Sequence, residues 1–355
     1  MNIVIIGAGF YGCYIAKKLI EQNPKIKIDI YEKNSDILLG PGRYNQYRLH
    51  TGFHYPRSPE TIEQTIFGEK IFRKEFKNFV YYPRTNLYAI HKNSLTNFKD
   101  YIKILNNFKL KYKIEKINDI DYFRNISDIE GVIKVKEGVI KIDKLLRRIK
   151  KKIFKLTNVK LNQEIIKVDS NSGVIVSKSG EVKKKYDFII NTTHISPNLG
   201  MSKDIFKIKY ELTGIVICKN IFNKSIGITI MDGDHVSLYP MNNKVSSLTS
   251  VIHTPFKNFL NINEMKSYLR KHKINSIFKK KIATNIVRHA HKELNFNLKK
   301  LKTKDVSIAI KVKRLNDKGD TRKSSYLKKN KLISILCGKI DASTVIWQDI
   351  KKNFK

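Results

Sequence analysis

The first 32 residues constrain this chain more than any other stretch. An apolar run, Ile3–Ile6, reads as a buried parallel strand and leads into Gly7-Ala8-Gly9-Phe10-Tyr11-Gly12. A helical pattern follows over Cys13–Glu21, then a second strand over Ile26–Tyr31 that ends on Glu32, 20 residues after the last glycine. Strand, glycine turn, helix, strand and acid at this spacing are what a dinucleotide-binding βαβ unit requires. Gly7 permits the tight turn, Gly9 lets the backbone approach a pyrophosphate, and Gly12 lets the helix lie close to the sheet. The helix N-terminus offers unpaired N–H groups and the positive end of its dipole to phosphates. Glu32 can accept both ribose hydroxyls of an adenosine and disfavours a 2′-phosphate, with Lys33 beside it.

Composition narrows the partners. The chain of 355 residues carries a formal net charge of +39, from 58 Lys and 12 Arg against 31 acids. Nucleic-acid readers concentrate Arg, whose planar fork suits phosphates and guanine edges. Lysine scattered among abundant Ile and Asn fits genome-wide codon bias better, so no specific nucleic-acid partner is expected. The field should still draw anionic small molecules. Cys13, Cys218 and Cys337 are far apart in apolar stretches and form neither a disulfide framework nor a metal motif, as in a reducing cytoplasm. No run approaches the ~18 apolar residues of a membrane span. A peripheral membrane contact through basic patches stays open, as does the oligomeric state.

Two further segments bear on the cofactor. Residues 40–58 read GPGRYNQYRLHTGFHYPRS, too polar and aromatic for a plain connector. The last part reads as a strand, Leu332–Cys337, then Gly338-Lys339-Ile340-Asp341-Ala342-Ser343 opening a helix. With the N-terminal motif these resemble the D-amino-acid-oxidase-like FAD-dependent oxidoreductases. A middle stretch, Tyr186–His194, looks like that family's strand returning to the pyrophosphate at Thr192, with Thr193 where glycine is common. Asn162–Val168, including Ile166, resembles the adenine-flanking strand. The family's serine-rich flavin loop is replaced by Asn45–His50 and Gly52–Arg57, which resembles a branch associated with bacterial surface-carbohydrate biosynthesis. The glycine-aromatic-histidine loop also resembles UDP-galactopyranose mutase, a redox-neutral sugar isomerase, although the GKIDAS turn does not fit it. A flavin-containing partner protein of RNA modification is a third reading, motivated by charge alone.

The resemblance implies an α/β fold: a Rossmann-type, GR2-like FAD-binding domain interleaved with an antiparallel-sheet α+β substrate domain. The expected FAD-binding segments are 1–83, 141–206 and 330–355, and the substrate segments 84–140 and 207–329. Strands are expected at Asn86–His91, 135–140, Ile208–Lys219, Ile226–Met231, His235–Tyr239 and Val245–Ile252. Helices are expected over Leu95–Asn107, over Asp143–Phe154 capped by Asp143, and over 263–278. The stretches 297–304 and Asp317–Lys331 read as solvated loops.

The implied cofactor is FAD, and the implied reaction removes hydride from a C–H beside a hydroxyl or amine of a small substrate. Such chemistry needs positive charge near the flavin pyrimidine, for which Lys339 is the candidate, and a base, for which His54 has a suitable ordinary pKa. Asn45, Arg48, His50, Gly338 and Ile340 join the cofactor set. Arg57 and Arg314 are candidates for a substrate carboxylate or phosphate, because Arg is scarce here and forks onto such groups. Tyr55, Tyr239 and His253 complete the substrate set. His289 and His291 have metal spacing on a strand, but no Cys, Asp or Glu cluster supports a metal site.

Overall fold

The computed structural model describes residues 1–182, 184–222, 225–315 and 321–354. Two large sheets organise it. The first has six strands in the order Ser325–Lys329, Leu332–Leu336, Phe188–Asn191, Asn2–Ile6, Lys27–Tyr31 and Asn158–Lys160. All pair parallel except Ser325–Lys329, which runs antiparallel to Leu332–Leu336. Helices Phe10–Gln22, Pro59–Phe76, Ile142–Leu156 and Ala342–Ile350 pack on one face of this sheet, and a small sheet of Ile165–Asp169, Val174–Ser177 and Gly180–Val182 meets the other, with Ile165, Val168 and Ile175 sharing a core with Val4, Ile6 and Ile189. Parallel strands buried on both faces read as continuous apolar runs for this reason.

The second sheet has nine strands and mixes directions. Ile226–Met231 pairs parallel with Thr85–His91, and its other ladders are antiparallel. Helix Ser276–Glu293 covers one face and closes a second apolar cluster through Ile282, Ile286 and Ala290. Between the two sheets sits a short three-stranded one: Arg48–Leu49, Gly138–Ile140 and Val80–Tyr81.

Several sequence expectations need correction. The stretch 135–140 is two strands, Ile129–Val135 and Gly138–Ile140, broken at Lys136-Glu137. Asp143 does not cap its helix; Lys141 holds that position without a side-chain bond, and Asp143 sits in the first turn beside the helix dipole. The helix expected over Leu95–Asn107 begins at Phe98, capped by the Asn97 side chain. The run 263–278 is two helices, Ile262–Lys271 and Ser276–Glu293. His289 and His291 therefore lie on a helix, where a spacing of two points them apart. His289 faces Ser250 and Glu293, while His291 meets Arg124. The expected loop at 297–304 runs into a twelve-residue strand, Thr303–Arg314, paired along Ile208–Lys219. In the other expected loop, residues 316–320 lie outside the described residues, and Ser325–Lys329 is a strand of the first sheet.

Candidate active site

The glycine turn is built as a cradle. Gly7 adopts φ +94°, and a Cβ there would meet the Thr192 backbone at 3.0 Å. A Cβ on Gly12 would lie 2.1 Å from the Gly7 carbonyl oxygen, so helix and turn can touch only at glycine. A Cβ on Gly9 would meet nothing within 4 Å. Gly9 instead opens onto a cavity of about 640 Å³, bordered also by Gly7, Glu32, Lys33, Ile166 and Thr192. No side chain caps the helix that starts at Phe10, and its first turn carries no acid. Open space beside an uncapped helix N-terminus fits a pyrophosphate.

Glu32 borders this cavity at the end of its strand. Its Oε2 accepts from the Ala8 N–H at 2.7 Å, and its Oε1 accepts from the Asn34 backbone and amide at 3.0 and 2.6 Å. Three of the roughly four lone-pair sites of a carboxylate are thus filled. About one acceptor site is left for a ribose hydroxyl. Thr192 donates to the Gly7 carbonyl at 2.7 Å, tying the returning strand to the turn. Phe10 and Tyr11 contribute backbone only. The Phe10 ring packs against Phe72, and the Tyr11 hydroxyl donates to the Lys339 carbonyl at 2.6 Å and meets Ser324 at 2.7 Å. Gly338 donates to Ser324, and a Cβ on it would strike that side chain at 2.6 Å.

A second group of side chains gathers where the 48–55 loop meets the last turn. The Lys339 ammonium lies 3.8 Å from the centroid of the Tyr55 ring, buried and without a hydrogen-bond partner among the described residues. Burial pushes its pKa down, and burial pushes that of the neighbouring Asp341 up. The His54 ring stands 5.2 Å from His50 and 5.0 Å from Tyr55. Burial and then the nearby Arg48 charge hold His54 well below its ordinary value, and burial brings His50 to about 3. The ordinary imidazole pKa that made His54 attractive in the sequence therefore does not apply in the fold. Asn45 closes its own loop, bonding Gly42 and the Tyr47 amide, and Ile340 packs on Gly42.

The two terminal nitrogens of Arg48 are committed to protein, while its buried Nε has no hydrogen-bond partner among the described residues. Its guanidinium donates to Tyr88 and Thr229, each at 2.8 Å, and to Ser237 at 3.1 Å, and stands 4.1 Å from the Tyr239 ring centroid. Beneath it lies Glu137, which the sequence reading missed. This fully buried carboxylate accepts from Tyr88 at 2.7 Å and from the Thr51 N–H at 3.0 Å, with Arg48 at 3.4 Å and His50 Nδ1 at 3.5 Å. Burial alone would raise its pKa, yet His50, Arg48 and the Thr51 amide bring it to about 2. Since burial keeps His50 neutral at neutral pH, Arg48 is the cation that persists there. A lone acid before a glycine, between two apolar runs, was the available signal.

Other candidates are placed elsewhere. Arg57 forks onto Asp232 at 2.5 and 3.2 Å, so its planar face is used within the protein. Arg314 donates to Ser325 at 2.7 Å. His253 packs edge-on against His289, beside the helix covering the nine-stranded sheet. None of His50, His54, Tyr55 or Lys339 borders the cavity at Gly9.

A parallel sheet with a glycine cradle, followed by a large mixed sheet, is a fold that this chain shares with solved amino-acid oxidases and dehydrogenases. Residues 5–67 match the NAD(P)-binding Rossmann-like domain. Glycine oxidase from Geobacillus kaustophilus superposes with a TM-score of 0.74 over 99% of this chain and 94% of that one, at 9% identity. L-alpha-glycerophosphate oxidase from Mycoplasma pneumoniae gives 0.70 over 99% and 94%, at 13% identity. In sequence, the chain is 25% identical over 262 residues to the FAD-dependent monooxygenase FPY4 of Fusarium mangiferae. That match takes in 73% of this chain and 66% of FPY4, so the chain spans just under two thirds of that relative's length.

Proposed function

We propose that this protein is an FAD-dependent oxidoreductase acting on a small anionic or sugar-like compound. The observation that carries the reading is the open space at Gly9, set between an uncapped helix N-terminus and the Glu32 carboxylate. Bound FAD would supply a hydride acceptor. Gly7, Gly9 and Thr192 would hold its pyrophosphate, and Glu32 its ribose. In this reading residues 1–83, 141–206 and 330–355 form the cofactor side and 84–140 with 207–329 the substrate side, with Ser325–Lys329 counted on the cofactor side because it pairs with Leu332–Leu336.

Within this reading the chain divides two tasks. Lys339, a buried cation without a hydrogen-bond partner among the described residues, would stabilise negative charge on an electron-rich ring. His54, kept uncharged by burial, would accept a hydrogen bond from the substrate hydroxyl or amine and orient it, because burial opposes its taking up the proton outright. The unusual 45–57 loop supports a substrate outside the simple amino acids, in keeping with a carbohydrate-related role. Three unpaired cysteines fit a cytoplasmic setting.

Anaerobic mixing with hydroxy acids, amino acids and sugar derivatives tests the reading. Bleaching of the flavin absorbance by one class identifies an oxidoreductase and its substrate type. Product formed with the flavin oxidised throughout would instead mark an isomerase, and protein purified without FAD would overturn the cofactor.

A further inference from the structure

The most exposed large apolar side chain of the described residues is Ile277, at 76%. It opens helix Ser276–Glu293, and near it the turn before Thr303–Arg314 exposes Leu298 at 45%. Two observations bring these segments together. Lys279 bonds Asp305 at 2.8 Å, and the half-buried Phe278 and Leu301 pack on the same apolar cluster. Ile277 lies two residues before Lys279 and Leu298 seven before Asp305, so both exposed side chains flank the corner of the nine-stranded sheet that these contacts anchor.

Lysine surrounds both tips. Residues 271–281 and 297–305 contain nine Lys among 20 residues, and one acid, Asp305. Lys makes up 58 of 355 residues in the whole chain, so the corner exceeds the general bias nearly threefold. Eight of the nine lysines are exposed; Lys279, paired with Asp305, is half-buried. The corner thus offers two aliphatic tips inside a ring of ammonium groups.

We propose that this corner docks on an anionic lipid surface. Lysines near such a surface each add affinity through the surface potential, and aliphatic tips reach the acyl boundary. Each signal alone is weak; combined, they hold a protein reversibly. Nucleic acid fits less well, because the two segments hold no Arg and present aliphatic tips in place of stacking rings. The proposal does not depend on the cofactor or the reaction.

Co-sedimentation of the full chain with vesicles tests it. Binding is expected to vesicles of phosphatidylcholine mixed with phosphatidylglycerol, to fall with added salt, and to be absent with phosphatidylcholine alone. Replacing Lys280, Lys281, Lys299 and Lys300 by Gln should lower affinity about fivefold per residue. The double variant Ile277→Ser/Leu298→Ser should weaken it further at unchanged charge; both sites are exposed, so folding is spared. Lys103, Lys109, Lys111 and Lys116 lie near the opposite edge strand, Tyr112–Glu115, and are exposed. Their replacement by Gln is the control and should leave binding within about twofold, since surface potentials fall off within a Debye length. Equal loss in that control would reduce the effect to net charge and overturn the proposal. So would absence of vesicle binding, or tighter binding to polyuridylate that ignores Ile277 and Leu298.

Discussion

Glu32 Oε2 sits 2.7 Å from the Ala8 amide, so the acid that awaits a ribose also holds the glycine turn. Its removal has two effects that different substitutions separate. Glu32→Ala leaves the Ala8 N–H without its partner and should weaken FAD retention by about 1–3 kcal/mol, the range for charged hydrogen bonds. Glu32→Gln keeps an acceptor for Ala8 and should lose less. Ultrafiltration with fluorimetric FAD determination measures both, and equal retention in Glu32→Ala and wild type would place the ribose elsewhere.

The Cβ that Gly9→Val adds on the open side of the cradle meets no protein atom within 4 Å. The variant should fold with a melting temperature close to that of cofactor-free wild type and carry little flavin. Full yellow colour in purified Gly9→Val would show that the phosphates lie elsewhere.

Lys339 and His54 should separate in two instruments. Lys339→Met should lower the flavin reduction potential while largely sparing FAD content, measured by dye-coupled potentiometry. His54→Ala should leave the potential nearly unchanged and slow substrate-driven reduction by about 10-fold, the loss of one orienting hydrogen bond. Because His54 stays neutral far below its ordinary pKa, the reduction rate should show no inflection from it near pH 6.5. Stopped-flow reduction across that range checks this, and a clear loss of rate near pH 6.5 that vanishes in His54→Ala would contradict the buried environment.

Glu137→Gln should cost about 3–5 kcal/mol, since it leaves Arg48 buried without its counter-charge. The pH dependence gives a second signature. With a folded value of about 2 against an ordinary 4.5, Glu137 contributes stability that is complete above pH 4.5 and is lost as pH falls toward 2. Urea titrations in that window should show a shallower slope for Glu137→Gln than for wild type. Identical slopes would mean that the carboxylate is not held by Arg48.

Legibility from sequence followed the range of the interactions. The turn Gly7–Gly12 and Glu32 could be read because the glycines, helix and acid follow one another at fixed spacing. Glu137 could not, since its partners Arg48, Thr51 and Tyr88 lie 49 to 89 residues away. Strand Thr303–Arg314 alternates Val306, Ile308, Ile310 and Val312 with Ser307, Ala309, Lys311 and Lys313, a strand signal that was in the sequence and was passed over beside the lysine-rich stretch 297–304; its pairing with Ile208–Lys219 is long-range. Lys339 carried a signal by position, but it is the burial of its ammonium without a hydrogen-bond partner that sets it apart from the other described lysines. Arg57 misled in the opposite sense, because a scarce arginine was read as ligand-binding and is paired with Asp232.

The strand order of the six-stranded sheet has a consequence for biosynthesis. Phe188–Asn191 lies between Asn2–Ile6 and Leu332–Leu336, which come from opposite reaches of the sequence. During translation the glycine cradle is made well before Thr192, 185 residues further on, which ties the returning strand to it. Until then that edge of Asn2–Ile6 is left unpaired. A ribosome that stalls between the two releases a chain whose turn lacks this brace.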